Sequence, residues 1–207
     1  MSSSGVRYFP RGSTEIVEAL PTNLYHYVSY LGAREIVVER GDCVYWIGDD
    51  GTSAHLRRGP TKLMSQHLAT VVRGYMPEDK STTMTQGTTL PYVNGCSTKQ
   101  LFPPDRPGDP TLQLLYMPPH TTEQLHHIHS TARVVYILRG SGVSIVGLRD
   151  KLTRHELTPG MVCVLEPMCP HHFETGNEPL VCTPLHIFST GTREFDHPMF
   201  NGTHRID

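Results

Sequence analysis

Residues 126–147 read HHIHSTARVVYILRGSGVSIVG, a histidine cluster followed by two short apolar runs with a glycine-rich turn between them. Short apolar runs bounded by turn residues are typical of β-strands. Two further runs, at 161–165 and 180–188, continue the series. Because the turns leave no room for crossover helices, the pattern predicts an all-β protein, an antiparallel sandwich or barrel, rather than a parallel α/β sheet.

The N-terminal part of the chain carries similar signals but no motif that points to chemistry. Strand-like runs lie at 34–39, 43–47 and 68–75. The segment 13–20 is compatible with a short capped helix that ends at Pro21. No internal repeat is evident in the sequence.

The length and composition set the size of the fold. The 207 residues suit one domain with a sizeable core plus an extension. The 18 glycines and 17 prolines favour short strands and many turns. We divide the chain into an N-terminal extension, residues 1–80, and a barrel, residues 81–200. The extension either adds strands to the barrel or forms a dimer contact, and both alternatives stay open.

The charge and the cysteine content argue against several classes of function. The chain has 18 basic and 20 acidic residues, whereas a protein that binds nucleic acid by neutralising phosphates has a basic excess. No stretch approaches the roughly 18 apolar residues of a membrane span, and no apolar run follows the N-terminal charge as in a secretory signal. The five cysteines contain no Cys-x-x-Cys pair. We expect a cytoplasmic protein with reduced thiols that binds a small molecule rather than nucleic acid or a membrane.

Histidines are concentrated in the C-terminal half, where eight of the thirteen lie between His120 and His186. Side chains alternate along a strand, so His127 and His129 project to one side. A second pair, His171 and His172, follows about forty residues later. Neutral imidazole binds Zn, Fe, Ni and Cu ions well, and a return of the chain would bring the two clusters together. The pattern therefore predicts a metal site.

The same residues resemble the first motif of the cupin superfamily, in which His-x-His is followed by a glutamate and then a glycine. Here His127 and His129 are followed by Arg133 in the glutamate position and by Gly140. The second motif is similar to the stretch that contains Gly160, Pro167 and residues 171–173. The resemblance covers about residues 110–190. It implies a cupin double-stranded β-helix, a jelly-roll barrel that carries an N-terminal extension of short strands.

The resemblance also implies a three-histidine centre made of His127, His129 and His172. Counting five residues from Pro167 selects His172, whereas a proline directly before the histidine selects His171. The count and the nearness of Asn177 lead us to prefer His172. Alternative metal-binding or pocket residues are His171, His126, Glu123 and His186.

Three neutral ligands suit a divalent transition metal and leave open coordination positions. Some cupin dioxygenases have such a three-histidine iron site, so the resemblance favours Fe(II). The same donors suit Zn, Ni or Mn.

Arg133 departs from the motif, because a guanidinium stays protonated and cannot bind a cation. Arg133 lies an even number of residues after His127 and His129, so on a continuous strand it points to the same side, inward. It then clamps a substrate carboxylate in a bidentate manner, which makes Arg133 our candidate catalytic residue. Two other interpretations stay open: Arg133 forms a salt bridge outside the barrel, or the site has lost the ability to bind a metal ion.

By resemblance we expect a metal-dependent cupin enzyme, a non-haem Fe(II) dioxygenase that acts on a small anionic organic substrate. A metal-dependent cupin lyase or isomerase is an alternative, and so is a ligand-binding cupin without catalysis. A homodimer is also expected, because that arrangement is frequent among cupins.

Overall fold

The computed structural model describes residues 5–21, 23, 25–85, 87–106, 108–148 and 151–188. These residues form 18 strands and one 3₁₀ turn, Val93–Gly95. The first nine strands are β1 (Val6–Phe9), β2 (Ile16–Glu18), β3 (Tyr27–Leu31), β4 (Arg34–Val38), β5 (Asp42–Ile47), β6 (Ser53–Arg58), β7 (Thr61–Ser65), β8 (Leu68–Arg73) and β9 (Lys80–Thr83). The other nine are β10 (Leu90–Pro91), β11 (Ser97–Phe102), β12 (Thr111–Met117), β13 (Thr131–Gly140), β14 (Gly142–Val146), β15 (Thr153–Leu157), β16 (Val162–Leu165), β17 (His171–Glu174) and β18 (Leu180–Phe188).

Two antiparallel sheets form the C-terminal barrel. The larger has the order β1-β16-β13-β18-β12-β11-β10, and the smaller has the order β15-β14-β17. Alternate residues of these strands point between the two sheets, where apolar side chains such as Val135, Ile137 and Phe173 form one buried cluster. The all-β prediction is confirmed.

The turn between β13 and β14 requires glycine at the end of the first histidine motif. Gly140 has a φ of +78°. A Cβ atom at this position would collide with the carbonyl oxygen of Pro179. Only glycine tolerates both the conformation and this close approach.

The N-terminal strands form a smaller module of the same design. Its sheet has the order β2-β3-β8-β5-β6-β9, and a second sheet pairs β4 with β7. The run β3-β8-β5-β6 has the same spatial order of strands as β12-β18-β13-β16 in the larger barrel. Ile36, Val44 and Val71 belong to the buried cluster inside this module. The structure thus contains a topological repeat that the sequence does not reveal.

A third buried cluster joins the two modules. It contains Tyr45 and Val72 from the N-terminal sheet and Leu114, Val134 and Leu185 from the C-terminal sheet. These side chains lie on the opposite strand faces from those inside the barrels. The large sheets therefore pack against each other through a shared apolar layer.

One expectation for the N-terminal region needs correction. The helix predicted over 13–20 is wrong, because Ile16–Glu18 form β2 and pair with β3. Ile16 and Val17 are β-branched and favour strands, and only Val17 of the three is buried, as the period of a strand requires. Two strand pairs cross the boundary drawn at residue 80: β1 pairs with β16 of the barrel, and β9 pairs with β6. Residues 189–200 of the expected barrel lie outside the described residues.

Within the described part of the chain, no helix is long and apolar enough to span a membrane.

Candidate metal centre

Three histidines meet where the segment before β13 crosses the start of β17. His127 and His171 form an antiparallel bridge. The His127 amide donates to the His171 carbonyl at 3.1 Å, and the His171 amide donates to the His127 carbonyl at 2.9 Å. His129 follows two residues after His127. Backbone pairing therefore brings together side chains that are more than forty residues apart in the sequence.

Backbone carbonyl groups fix which nitrogen of two of these rings is available. Nδ1 of His127 donates to the Leu125 carbonyl oxygen at 2.7 Å, and Nδ1 of His171 donates to the Cys169 carbonyl oxygen at 2.7 Å. Because a carbonyl oxygen only accepts, both Nδ1 atoms carry the proton and both Nε2 atoms keep a lone pair. Nε2 of His127 lies 2.6 Å from Nε2 of His129.

The surroundings keep these imidazoles neutral. Burial, with a further contribution from the positive charge of Arg133, lowers the pKa of His129 to about 2. Burial also lowers the pKa of His171 to about 3. The pKa of His127 is lowered by burial as well. A metal ion needs deprotonated imidazole, so the three side chains are ready to bind one at neutral pH.

The donor set fits a divalent transition metal ion. One potential ligand atom from each of His127, His129 and His171 lies within 4.8 Å of the other two. His171 is only 2% exposed, and its Nε2 has no hydrogen-bond partner. A buried nitrogen without a partner is costly, and a metal ion would remove that cost. Three neutral nitrogen donors leave coordination positions for a substrate.

The preference for His172 as the third ligand is not supported by this geometry. His171 and Phe173 are buried on the inner face of β17, whereas His172 and Glu174 point to the outer face. His172 instead contacts the exposed His126, with their Nδ1 atoms 2.8 Å apart. Residues on a strand alternate, so only one of two consecutive histidines faces the barrel. The apolar Phe173, two residues after His171, is the sequence signal that identifies the inner face.

Arg133 enters the barrel next to the histidines. It shares the face of β13 that carries Val135 and Ile137, two members of the inner cluster. Its Nε is buried and has no hydrogen-bond partner. Burial lowers the pKa of Arg133 to about 10, and the negative charge of Glu123 opposes this shift. The guanidinium is therefore still a cation at neutral pH.

Glu123 provides a buried carboxyl group close to Arg133 but outside the histidine group. It is 6% exposed, and its Oε2 has no hydrogen-bond partner. Burial raises its pKa, and the charge of Arg133 partly offsets that effect. Among the described residues, no hydrogen bond or salt bridge joins Glu123 to Arg133. Both groups therefore retain capacity to bind a polar ligand.

His186 and Tyr92 complete the polar surroundings. His186 is the cross-strand neighbour of Arg133, and its Nε2 is buried without a partner. Burial lowers the pKa of His186 well below its usual value. Tyr92 interacts electrostatically with both Glu123 and Arg133, and its hydroxyl contacts the Gln124 amide. Tyr92 cannot be identified from the sequence, because no motif or spacing connects it to the histidines.

Comparisons with known proteins agree with this arrangement. A family model described as a cupin domain matches residues 113–188, which include all three histidines of the group. No curated protein gives a match.

Solved structures resemble this chain at low sequence identity, and two of those described next have a TM-score above 0.5. A protein of Pseudomonas aeruginosa described as glyoxylate-induced is 13% identical, with 91% of this chain and 83% of that chain covered and a TM-score of 0.56. A mutant of the Bacillus subtilis oxalate decarboxylase is 11% identical, with coverages of 89% and 78% and a TM-score of 0.51. A cupin 2 conserved barrel domain protein of Leptotrichia buccalis is 14% identical, with coverages of 86% and 92% and a TM-score of 0.45.

Another match is to a structure of DMSP lyases, and the chain spans about half, 49%, of its length. At these identities the likeness concerns the fold and not the reaction. The cupin-domain match extends over the strands that hold the histidine group, inside a barrel of two antiparallel sheets. The strands that hold the histidine group, within residues 113–188, therefore belong to a cupin domain.

Proposed function

We propose that the protein is a metal-dependent enzyme that acts on a small anionic organic molecule and, with Fe(II), works as a dioxygenase. The observation that carries this proposal is the convergence of His127, His129 and His171 within 4.8 Å. When bound, a divalent metal ion supplies Lewis-acid polarisation of a substrate oxygen, and Fe(II) in addition supplies electrons to dioxygen. Binding the substrate beside that ion supplies proximity.

Arg133 selects for an anionic substrate. Its guanidinium is cationic, and its Nε is buried without a partner. A buried charge of this kind is costly until an anion binds to it. A carboxylate that accepts two hydrogen bonds from Arg133 is the ligand that fits this geometry. Arg133 thereby orients the substrate towards the three histidines.

The buried carboxyl group of Glu123 favours a second candidate reaction, that of a metal-dependent lyase or isomerase. Burial raises the pKa of this carboxyl, which brings it closer to the range where a group both donates and accepts a proton. Its Oε2 has no hydrogen-bond partner, so it is available to a substrate. In this reaction Glu123 would take a proton from the carbon next to a carboxylate that Arg133 holds. The electron pair left on that carbon would expel a leaving group from the neighbouring carbon in a lyase, or would be reprotonated at another position in an isomerase, and no oxygen is consumed.

Oxygen uptake separates the two reactions. Tag-free protein is stripped with a chelator, reloaded separately with Fe(II), Zn(II), Ni(II) or Mn(II), and offered a panel of small hydroxy- and keto-acids. The dioxygenase proposal predicts oxygen consumption with Fe(II) alone, lost in His171→Asn. Turnover without oxygen consumption, lost in Glu123→Gln, would instead support the lyase or isomerase. Substrate binding without turnover under any metal would leave a ligand-binding cupin and contradict both enzyme proposals.

The Arg133→Gln variant tests the proposed substrate class. We expect its KM for carboxylate substrates to rise by at least about tenfold, because one charge-assisted hydrogen bond contributes roughly 1.5–3 kcal/mol. Arg139→Gln is the matched control, since Arg139 lies exposed on the same strand. An Arg133→Gln variant with unchanged KM for every carboxylate would contradict the role given to this residue.

A further inference from the structure

The strand pair that builds the histidine centre also presents a second pair of histidines on its opposite face. His127 and His171 are direct partners that exchange two backbone hydrogen bonds. In antiparallel register their neighbours, His126 and His172, must then lie opposite each other as well. Because side chains alternate along each strand, the first pair points inward and the second pair outward.

Each ring of the outer pair is held by a hydrogen bond on its Nε2 side. Nε2 of His126 lies 2.6 Å from the Gly147 carbonyl oxygen and must donate to it. Nε2 of His172 lies 3.1 Å from Oε1 of Glu174, whose other oxygen accepts from Arg154 at 2.8 Å. Arg154 and His172 hold Glu174 as a carboxylate, with its pKa lowered chiefly by the hydrogen bond from His172.

These contacts leave the two Nδ1 atoms facing each other 2.8 Å apart. If both rings are neutral, donation from Nε2 places a lone pair on each Nδ1. Two lone pairs at this separation repel unless a cation lies between them. A carboxylate that accepts from the far nitrogen of an imidazole, as Glu174 does for His172, is the usual second-shell arrangement of a metal-bound histidine.

We propose that His126 and His172 bind a second divalent transition metal ion, of the Zn²⁺ or Cu²⁺ class, through their Nδ1 atoms on the outer face of the barrel. Gly147 and Glu174 orient the two rings. His126 is exposed, so water completes the coordination and the ion exchanges directly with solvent. With two protein donors instead of three, the outer site binds more weakly than the inner centre. It uses none of the three inner ligands, so its existence does not depend on the proposed enzymatic activity.

Equilibrium dialysis of the metal-stripped, tag-free full chain against Zn²⁺ alone tests this proposal. We expect two ions per chain, the second with the lower affinity. The double variant His126→Asn/His172→Asn should retain only the tighter ion, whereas His127→Asn/His129→Asn should retain only the weaker one. His155→Asn, which removes another exposed histidine of the same barrel, is the matched control and should still bind two.

The alternative is that a shared proton, and not a metal ion, joins the two outer rings. Wild-type protein and the His126/His172 double variant would then take up the same number of zinc ions, and this result would overturn the proposal. Should the double variant fail to fold, His126→Asn alone gives the same comparison, because this side chain is exposed. Glu174→Gln should weaken the outer site by about 10–100-fold and leave the inner site unchanged, as expected for an orienting carboxylate. Equal zinc affinity in Glu174→Gln and wild type would contradict the assigned geometry.

Discussion

Backbone carbonyl groups decide which histidine nitrogens are available for metal binding in this protein. The carbonyls of Leu125 and Cys169 accept from Nδ1 of His127 and His171, which leaves a lone pair on Nε2 of both rings. The Gly147 carbonyl accepts from Nε2 of His126 and leaves Nδ1 free. Neighbouring histidines therefore offer different nitrogens to opposite faces of one strand pair.

The first prediction at the scale of the residue contrasts two consecutive histidines. His171→Asn should weaken metal binding at the inner centre by at least about 100-fold, because loss of an orienting residue alone costs about 10–100-fold. His172→Asn should leave the inner affinity unchanged, since its side chain lies on the outer face of β17. Competition with a chromophoric chelator measures both affinities. If His172→Asn weakened metal binding at the inner centre and His171→Asn did not, His172 would be the ligand.

The second prediction concerns pH and the stability of the metal-free protein. The pKa values of His129 and His171 are about 2 and about 3 in the folded chain, against about 6.5 when unfolded. Below pH 6.5 the unfolded chain then binds more protons than the folded chain. The stability that the two histidines contribute is therefore fully present above that pH, and the free energy of unfolding decreases as the pH falls. Each histidine contributes a slope of about 1.4 kcal/mol per pH unit.

Urea unfolding in the presence of a chelator checks this slope. The free energy of unfolding should fall between pH 6.5 and pH 5, and His129→Asn/His171→Asn should show a shallower dependence. A wild-type stability that does not change over this range would show that the histidines are not neutral in the folded protein.

The sequence favoured His172 as the partner of His127 and His129, whereas the structure places His171 beside them. Strand alternation placed His127 and His129 on one side and turned Arg133 inward. The choice between His171 and His172 depends on the register between β17 and a segment more than forty residues away, and spacing within one motif does not determine that register. Tyr92 reaches the site only through the tertiary fold.

At the scale of the element, β1 connects the start of the chain to the barrel. It covers the edge of β16 through four residue pairs. Arg7 forms a 2.6 Å salt bridge with Glu166, and the Tyr8 hydroxyl donates to Ser144 on the smaller sheet at 2.9 Å. This short strand therefore protects an edge and ties the two sheets together.

The third prediction tests this role of β1. Tyr8→Phe should lower the free energy of unfolding by about 1 kcal/mol, the typical net value of one hydrogen bond. Removal of residues 1–12 should cost more and cause self-association, because it exposes the edge of β16. Chemical denaturation and size-exclusion chromatography measure the two effects. A truncated chain with the oligomeric state and the stability of the full chain would contradict the account of β1.

The sequence also identified most strands of the barrel, because apolar runs and glycine turns mark them directly. It failed for β2, where a serine, a threonine and a glutamate near residue 14 imitate a helix start. That strand has only three residues, and its stability comes from pairing with β3. Local preferences are a weak guide where tertiary pairing decides the conformation.

At the scale of the whole molecule, the two modules share one apolar layer in addition to their own interiors. Residues from both large sheets belong to this shared cluster. The structural repeat was not visible in the sequence, because two barrels with the same strand order require only similar patterns of burial. The shared layer predicts that the modules unfold together.

The fourth prediction follows from that layer. Calorimetry should show a single transition, and Leu114→Ala should lower the stability of the whole chain by about 2–5 kcal/mol, since Leu114 is 1% exposed in the shared cluster. Val37→Ala is the control, because Val37 is 58% exposed on β4. Two separate transitions, with only one affected by Leu114→Ala, would show that the modules are independent.

Anomalous diffraction from crystals soaked with a transition metal ion tests the central claim most directly. We expect an anomalous peak about 2.0–2.1 Å from the Nε2 atoms of His127, His129 and His171, the distance typical of a metal-bound imidazole. Crystals in which these three rings share no anomalous peak, or in which His172 replaces His171 at the peak, would contradict the account.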